Sequence, residues 1–133
     1  MDTASTYPAG NLQVVESPHD GVRSDFITAQ ASESNLHEVF SCVAAEVEKR
    51  NARIAFQYLF GGRQFYPQAV SAIKQLNWPL TLLHGDACPG ETITGTQFIA
   101  LSGVELHPVT DGERRVGNWY ETADARYCLL GDI

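Results

Sequence analysis

The sequence predicts an α+β domain with a mixed β-sheet and two helices packed on one face of that sheet. Residues 32–51 form a long stretch with helical periodicity and one apolar stripe. In residues 53–60 the side chains instead alternate between the two faces of a predicted strand, and many of them are large residues that favour β-structure. The middle of the chain therefore follows the order strand, helix, strand, helix, strand. Such crossovers give parallel or mixed pairing and place both helices on the same side of a sheet.

The N-terminal region predicts a tail followed by two strands. Residues 1–10 are small and polar, which is typical of a flexible tail. Residues 11–17 and 25–31 read as strands, and residues 11–133 are assigned to a single domain. The Ser-Pro-His-Asp-Gly cluster at residues 17–21 predicts the turn between the two strands.

Each predicted helix has one apolar stripe. The stripe of residues 32–51 consists of Leu36, Val39, Phe40, Val43, Ala44 and Val47. The second helix is predicted over residues 66–77, with Pro67 in its first turn. Alternation in the strand between the helices predicts one face with Ile54, Phe56, Tyr58 and Phe60, and the other with Ala55, Gln57 and Leu59.

The C-terminal part predicts a meander of strands. Its strands are assigned to residues 96–102, 104–109, 115–121 and 125–130, and residues 80–84 form the strand before them. The last stretch, Ala-Arg-Tyr-Cys-Leu-Leu, reads as a buried strand three residues before the end of the sequence. Because a strand needs a neighbour for its backbone groups, it must pair back into the domain, with another chain or with a further half of the protein.

Two strand segments are apolar on both faces, residues 80–83 and 98–101. Two helices cover only one face of a sheet. The pattern therefore predicts that the other face is buried against another sheet, supplied by an oligomer or by a second domain.

Composition restricts the classes of partner. The net charge is −7, with 16 acidic and 9 basic residues and no basic stripe, which argues against nucleic-acid binding. No stretch approaches the roughly 20 apolar residues of a membrane span, and no signal pattern precedes the domain. Three widely spaced cysteines favour a reducing, cytoplasmic location, and Cys42 and Cys128 are assigned to the core.

One candidate site is the loop His84-Gly85-Asp86-Ala87-Cys88, which brings an imidazole, a carboxylate and a thiol within five residues. No CxxC or HxxxH pair completes a ligand set, so no metal is predicted. Cys88 is either a nucleophile assisted by His84 or a passive cysteine in a loop rich in glycine and proline.

A second candidate site surrounds Arg126, which lies close in sequence to Trp119 and Tyr120. An arginine with aromatic walls can hold a carboxylate through two hydrogen bonds. The alternative is that Arg126 is a rim residue paired with Glu121 or Asp124.

Several motifs in the last three fifths of the chain belong together. They are Leu59-Phe60-Gly61-Gly62, Asn77-Trp78-Pro79, the loop from His84 to Cys88, Gly95-Thr96-Gln97 leading into Ala100-Leu101-Ser102-Gly103, and Tyr120-Glu121 followed after three residues by Ala125-Arg126-Tyr127-Cys128-Leu129-Leu130-Gly131. Together they resemble the N-terminal half of two-domain proteins in the RidA/YjgF superfamily, which are relatives of the chorismatases. The resemblance implies a chorismate mutase-like fold that assembles as a trimer or pseudo-trimer, either with copies of itself or with a C-terminal RidA-like half.

The resemblance also implies a function. The first expectation is a structural or assembly role, in which the domain frames an interface pocket for a small carboxylate metabolite. The alternatives are an imine/enamine deaminase or a chorismatase-like hydrolase, and the ribonuclease activity suggested by the family label endoribonuclease L-PSP conflicts with the acidic charge. In deaminases of the family, the arginine that grips the substrate lies in the later half. Arg126 does not occupy that motif, so no catalytic residue is assigned, and no cofactor is implied.

Overall fold

The structure is a computed structural model that describes residues 6–9, 12–30, 36–61, 66–73, 78–84 and 93–131. These residues form two helices, α1 (Leu36–Lys49) and α2 (Tyr66–Ile73), and nine strands. The strands are β1 (Thr6–Ala9), β2 (Leu12–His19), β3 (Val22–Ala29), β4 (Arg53–Gly61), β5 (Leu80–His84), β6 (Ile93–Ser102), β7 (His107–Asp111), β8 (Arg114–Glu121) and β9 (Arg126–Leu130). The predicted α+β class is confirmed. In the described part of the chain, no helix has both the length and the apolar character needed to cross a membrane.

The main sheet has six strands in the order β1-β2-β3-β6-β4-β5. Only β4 and β5 pair in parallel, and the other neighbours are antiparallel, so the predicted mixed sheet is confirmed. β6 lies between β3 and β4, which run in the same direction on either side of it. The chain therefore forms a split β-α-β unit through α1, followed by a parallel β-α-β unit through α2.

Both helices cover the same face of this sheet, called the helix face below. One core cluster joins the two helices to strands β2 to β6; its fully enclosed members include Val14, Ile27, Phe40, Val43, Leu59, Ala69, Phe98 and Ala100. Phe98 is the centre of the cluster, because its ring meets Phe40 and Trp78 edge-on at 5.7 and 5.8 Å. The predicted stripe of α1 is the surface that this core buries.

The N-terminal strands are longer and more numerous than the sequence pattern indicates. β2 and β3 meet at a two-residue turn, Asp20-Gly21, with φ angles of 51° and 79°. Two positive φ angles are typical of the tight hairpin turn that matches strand twist, so the predicted turn at residues 17–21 shrinks to its last two residues. Thr6–Ala9, within the stretch expected to be a tail, pairs antiparallel with β2 as an edge strand. The open edge of β2 supplies the backbone partners that this polar stretch needs.

α1 ends at Lys49, before the predicted end at residue 51, and it stops at a defined cap. Asn51 has a φ of 55°, the left-handed conformation that ends many helices. Its N–H donates to the Glu48 carbonyl at 3.1 Å, and the N–H of Ala52 donates to the Val47 carbonyl at 3.0 Å. These two bonds are the Schellman pattern, and they fix the direction in which the chain enters β4.

The face assignment in β4 is wrong at its start. The register with β6 passes from Ile54 opposite Ala100 to Phe56 opposite Ile99, which leaves Ala55 as an extra, bulged residue. Ile54 therefore packs with the helix-face core, and Ala55 packs on the opposite side. From Phe56 onward the alternation follows the prediction, with Leu59 on the helix face.

Strands β7, β8 and β9 form a separate antiparallel sheet in that order. It packs against the face of the main sheet opposite the helices, where Val22, Ala55 and Leu101 join Leu106 in a second core cluster. A sheet therefore covers part of this face, as predicted, but it belongs to the same chain rather than to an oligomer or another domain.

β9 differs from the prediction of a buried strand. It pairs back onto β8 and forms the edge of the small sheet, where Tyr127 is 38% exposed and Leu130 is 48% exposed. Cys128 is also exposed, as is Cys42 on the outer side of α1, so neither is a core residue. The prediction took apolar composition as a sign of burial, whereas an edge strand of a small sheet has too few neighbours to be enclosed.

Candidate functional site

A groove of about 620 Å³ lies at the end of the main sheet where β4 begins. It lies between the C-terminal half of α1 and strand β8. Its lining is Ala44, Val47, Glu48, Asn51, Ala52, Arg53, Ile54, Trp78, Leu106 and Arg115. Volumes of this size are typical of small-molecule sites, and such sites are largely apolar with a few placed polar groups.

Arg115 is fixed in the groove by a buried asparagine. Its Nη2 donates to Oδ1 of Asn118, and Nδ2 of Asn118 donates to the carbonyl of Ala55 at 2.8 Å. Asn118 is completely buried, and Ala55 is the bulged residue of β4. The bulge thus presents a carbonyl that orients the asparagine, which in turn orients the arginine.

A second arginine contributes positive charge to the same groove. Arg53 begins β4, directly after the cap of α1, and it is exposed. Burial lowers the pKa of the Arg115 guanidinium, and the nearby charge of Arg53 lowers that pKa further. An arginine nevertheless stays protonated throughout the physiological range. Two like charges therefore share a partly desolvated place, and Glu48 is the one acidic residue among the lining residues of the groove.

The Trp78 wall of the groove is held by a chain of buried polar side chains. Trp78 Nε1 donates to Gln57 Oε1 at 2.7 Å, and Gln57 Nε2 donates to Thr96 Oγ1 at 2.8 Å. The Thr96 hydroxyl donates to the carbonyl of Tyr58 at 2.7 Å. Each of these buried groups therefore has a partner, and the indole has little freedom to move.

A cluster of charged residues joins the C-terminal end of α1 to strands β2 and β3 on the helix face. Arg23 Nε and Arg50 Nε each donate to the Asp25 carboxylate at 3.0 Å, and Arg50 also pairs with Glu16. Asp25 is completely buried, and burial raises the pKa of its carboxyl, while the hydrogen bond and charge of Arg23 act against that rise. Arg23 also donates to the Arg50 carbonyl at 2.7 Å. The cluster fastens the end of α1 to β2 and β3, which is a structural role.

The predicted site around Arg126 is only partly assembled. The Arg126 guanidinium lies 5.0 Å from the centre of the Trp119 ring, and its Nη2 pairs with Glu121 at 2.8 Å on the surface. Trp119 stacks on His107 at 4.1 Å. Tyr120 lies on the opposite face of β8 and stacks on Tyr127 at 4.9 Å, because adjacent residues of a strand point to opposite sides. The rim interpretation, with Glu121 as the acidic partner, matches this geometry.

Cys88 and residues 85–87 lie outside the described residues, and His84 is described only as the last residue of β5. Among the residues that the structure does describe, no group of three His, Cys, Asp or Glu side chains could hold a metal ion.

The sequence analysis assigned no site to the basic residues of the groove. Arg53 belongs to one small basic cluster and Arg115 to another, and each has acidic neighbours in sequence. A usable signal was present in the strands, since Asn118 and Gln57 interrupt apolar stretches and polar side chains at such positions are usually hydrogen-bonded.

Comparisons with known proteins add no assignment. No protein-family model matches this chain. The search of curated proteins finds no match either. The resemblance to RidA/YjgF proteins therefore stays a prediction, and the chain is interpreted from its own geometry.

Proposed function

We propose that this chain is a RidA/YjgF-like assembly domain that self-associates through the uncovered part of its main sheet. The surface is called the open face below and consists of Tyr58, Phe60 and Leu83. The observation that carries the proposal is a pair of neighbouring apolar side chains, Phe60 and Leu83, that are 38% and 43% exposed.

The residues of the open face form one continuous surface. Phe60 and Leu83 are opposite each other in the parallel pairing of β4 and β5, so their side chains point to the same side. Tyr58 extends this surface, because its ring stacks on that of Phe60 at 6.4 Å between centroids. Adjacent large apolar groups at a surface are typical of protein contact sites.

The small sheet and the end of β9 cover the part of this sheet face that lies next to the open face. The small sheet covers Val22, Ala55 and Leu101. The end of β9 reaches Phe56, since a Cβ atom at Gly131 would overlap the Phe56 ring. Among the described residues, Phe60 and Leu83 are the exposed large apolar side chains of this face, so a partner would cover the end that carries them. A second copy, or a linked RidA-like half, would complete this cover.

The resemblance adds two features to the proposal. It favours three subunits, or three equivalent domains, with their sheets facing inward, and a small carboxylate bound where subunits meet. Deaminase and hydrolase activities rest on the resemblance alone, so assembly is the function that we propose first.

The test is the native mass measured by light scattering after size exclusion at micromolar concentration. We expect about three times the 14.6 kDa chain mass for the unchanged protein. Phe60→Asp should shift the protein to monomer, because an unpaired charge is costly in a buried contact. Val70→Asp is the matched control, since Val70 is also 38% exposed but lies on α2.

Circular dichroism must show that both variants remain folded. A monomeric unchanged protein would contradict self-association and would favour cover by a linked second half. An equal loss of mass in the two variants would show that the open face is not the contact.

A further inference from the structure

We propose that the groove between α1 and β8 binds a small organic carboxylate with an apolar body. Arg53 and Arg115 would hold the carboxylate, and the apolar body would lie against Val47, Ile54 and Leu106. The described lining comes from α1, β4, β8 and the segments next to them in one chain. It also lies at the start of β4, whereas the open face lies toward the end of that strand.

The charge of the groove is the first argument. The fixed guanidinium of Arg115 and the nearby guanidinium of Arg53 repel each other in a place that is partly shielded from water. An anion between them would relieve that repulsion. Guanidinium groups suit carboxylates particularly well, because their planar N–H donors match the two oxygens of the carboxylate.

The orientation of Arg115 is the second argument. Asn118 accepts one hydrogen bond from Nη2, and the asparagine is itself anchored to the β4 backbone. An arginine that is already oriented loses less conformational entropy when it binds a ligand. A buried asparagine whose contacts orient a guanidinium is typical of the shell that supports a binding site.

The apolar wall is the third argument, and it excludes bare inorganic anions as the best ligands. Val47, Ile54 and Leu106 line the groove from α1, β4 and the segment before β7. Val47 and Leu106 are largely buried in their own cores, which makes the wall rigid, and the half-buried Ile54 supplies accessible apolar surface. A ligand with a hydrocarbon or aromatic body gains free energy by covering this surface, which a phosphate ion cannot do.

Glu48 indicates that the ligand carries a single negative charge. Two arginines and one glutamate leave one net positive charge along the lining. The groove also adjoins the C-terminal end of α1, where the helix dipole disfavours additional negative charge. A monocarboxylate matches this balance better than a phosphate dianion does.

The test is a titration with benzoate, followed through the backbone amides of Asn51 and Arg53 and the indole N–H of Trp78 by two-dimensional NMR. Benzamide and inorganic phosphate are the comparison ligands. We expect saturable shifts with benzoate. Benzamide should bind at least about tenfold more weakly because it lacks the charge, and phosphate because it lacks the apolar body. Equal affinities for benzoate and benzamide would overturn the proposal.

Two variants locate the site. Arg115→Gln should weaken benzoate binding by about tenfold or more, whereas Arg114→Gln should not, because Arg114 is exposed and does not line the groove. Arg53→Gln should weaken binding as well. Since Arg53 is exposed, that variant keeps the fold even if Arg115→Gln disturbs Asn118. Unchanged affinity in Arg53→Gln, or equal affinities in Arg115→Gln and Arg114→Gln, would contradict the site.

Carboxylate binding in the groove can be tested independently of self-association through the open face. Benzoate binding measured in the Phe60→Asp variant should equal that of the unchanged protein, because the open face contributes no residue to the groove. Loss of binding in that variant would show that benzoate occupies the interface pocket implied by the resemblance rather than the groove, and would overturn a site within one chain.

Discussion

The helix face and the opposite face of the main sheet are both apolar, but they are closed in different ways. On the helix face, Phe40, Phe98 and Leu59 have no exposed surface at all. On the opposite face the small sheet covers one end, and Phe60 and Leu83 at the other end remain exposed. The first face is completed by the two helices that follow β3 and β4 in the chain. The second face depends on a later segment that reaches only part of it.

The two faces are therefore expected to contribute to different processes, the helix face to folding and the open face to the proposed assembly. Burial on the helix face contributes to the stability of the single chain, since large side chains removed from water dominate the free energy of folding. In the proposed assembly, burial on the open face would contribute only when a partner is bound, and its effect would then depend on protein concentration. Matched substitutions on the two faces can distinguish these contributions.

The largest expected effect follows the substitution Phe98→Ala. Its ring contacts Phe40 and Trp78, so truncation leaves a cavity, and we expect a loss of about 3–5 kcal/mol in the free energy of unfolding. The same loss should appear at every protein concentration. Chemical denaturation followed by circular dichroism measures it.

Phe60→Ala is the control for that substitution. We expect a loss below about 1 kcal/mol at the lowest concentration, because the side chain is already partly exposed, and a larger loss as concentration rises. A concentration-independent loss as large as that of Phe98→Ala would mean that Phe60 belongs to the core of the single chain.

A smaller effect is expected from Gln57→Ala on the helix face. The substitution removes the acceptor of the Trp78 indole and leaves a buried donor without its partner, which costs about 1–3 kcal/mol. Gln97→Ala is the matched control, because Gln97 is half-buried on the opposite face and is paired in register with Tyr58. Equal losses of stability in the two variants would mean that the hydrogen bonds linking Trp78, Gln57 and Thr96 add no stability beyond that of a half-buried glutamine.

The predictable part of the fold is the part with a clear local period. α1 follows from an apolar repeat of about 3.6 residues and β4 from one of 2, whereas β5 and the middle of β6 follow from continuous apolar runs. These patterns require no knowledge of distant contacts. The bulge at Ala55 was missed because an extra residue appears only when the partner strand is known. The sheet that covers the second face was expected to come from an oligomer or another domain, because nothing in the sequence of β7 to β9 indicates the face on which these strands pack.

The groove was not predictable for a related reason. Arg53 and Arg115 lie far apart in sequence, and their proximity depends on the packing of the small sheet beside the start of β4. The site around Arg126 was predicted from closeness in sequence, and adjacency along a strand placed Trp119 and Tyr120 on opposite faces. In this chain, polar residues inside apolar strands, such as Asn118 and Gln57, indicate the position of the groove better than charged residues near aromatic ones do.

The smallest expected effect is a pH dependence from Asp25, the buried carboxyl of the helix face. Burial raises its pKa in the folded state above the value in the unfolded chain, so the folded protein holds the proton more tightly. The contribution to stability is therefore complete below the unfolded pKa, which is about 3.9, and is lost as pH rises through the folded pKa. Asp25→Asn cannot titrate at this position and serves as the reference.

The measurement is the difference in unfolding free energy between the unchanged protein and Asp25→Asn from pH 3 to pH 7. We expect the unchanged protein to lose stability relative to the variant as pH rises through the folded pKa. The opposite slope would mean that the guanidinium groups of Arg23 and Arg50 outweigh burial and hold the carboxylate ionised. In that case the cluster would stabilise the end of α1 through its charges. The helix face would then depend on ion pairing as well as on the apolar packing that Phe98→Ala measures.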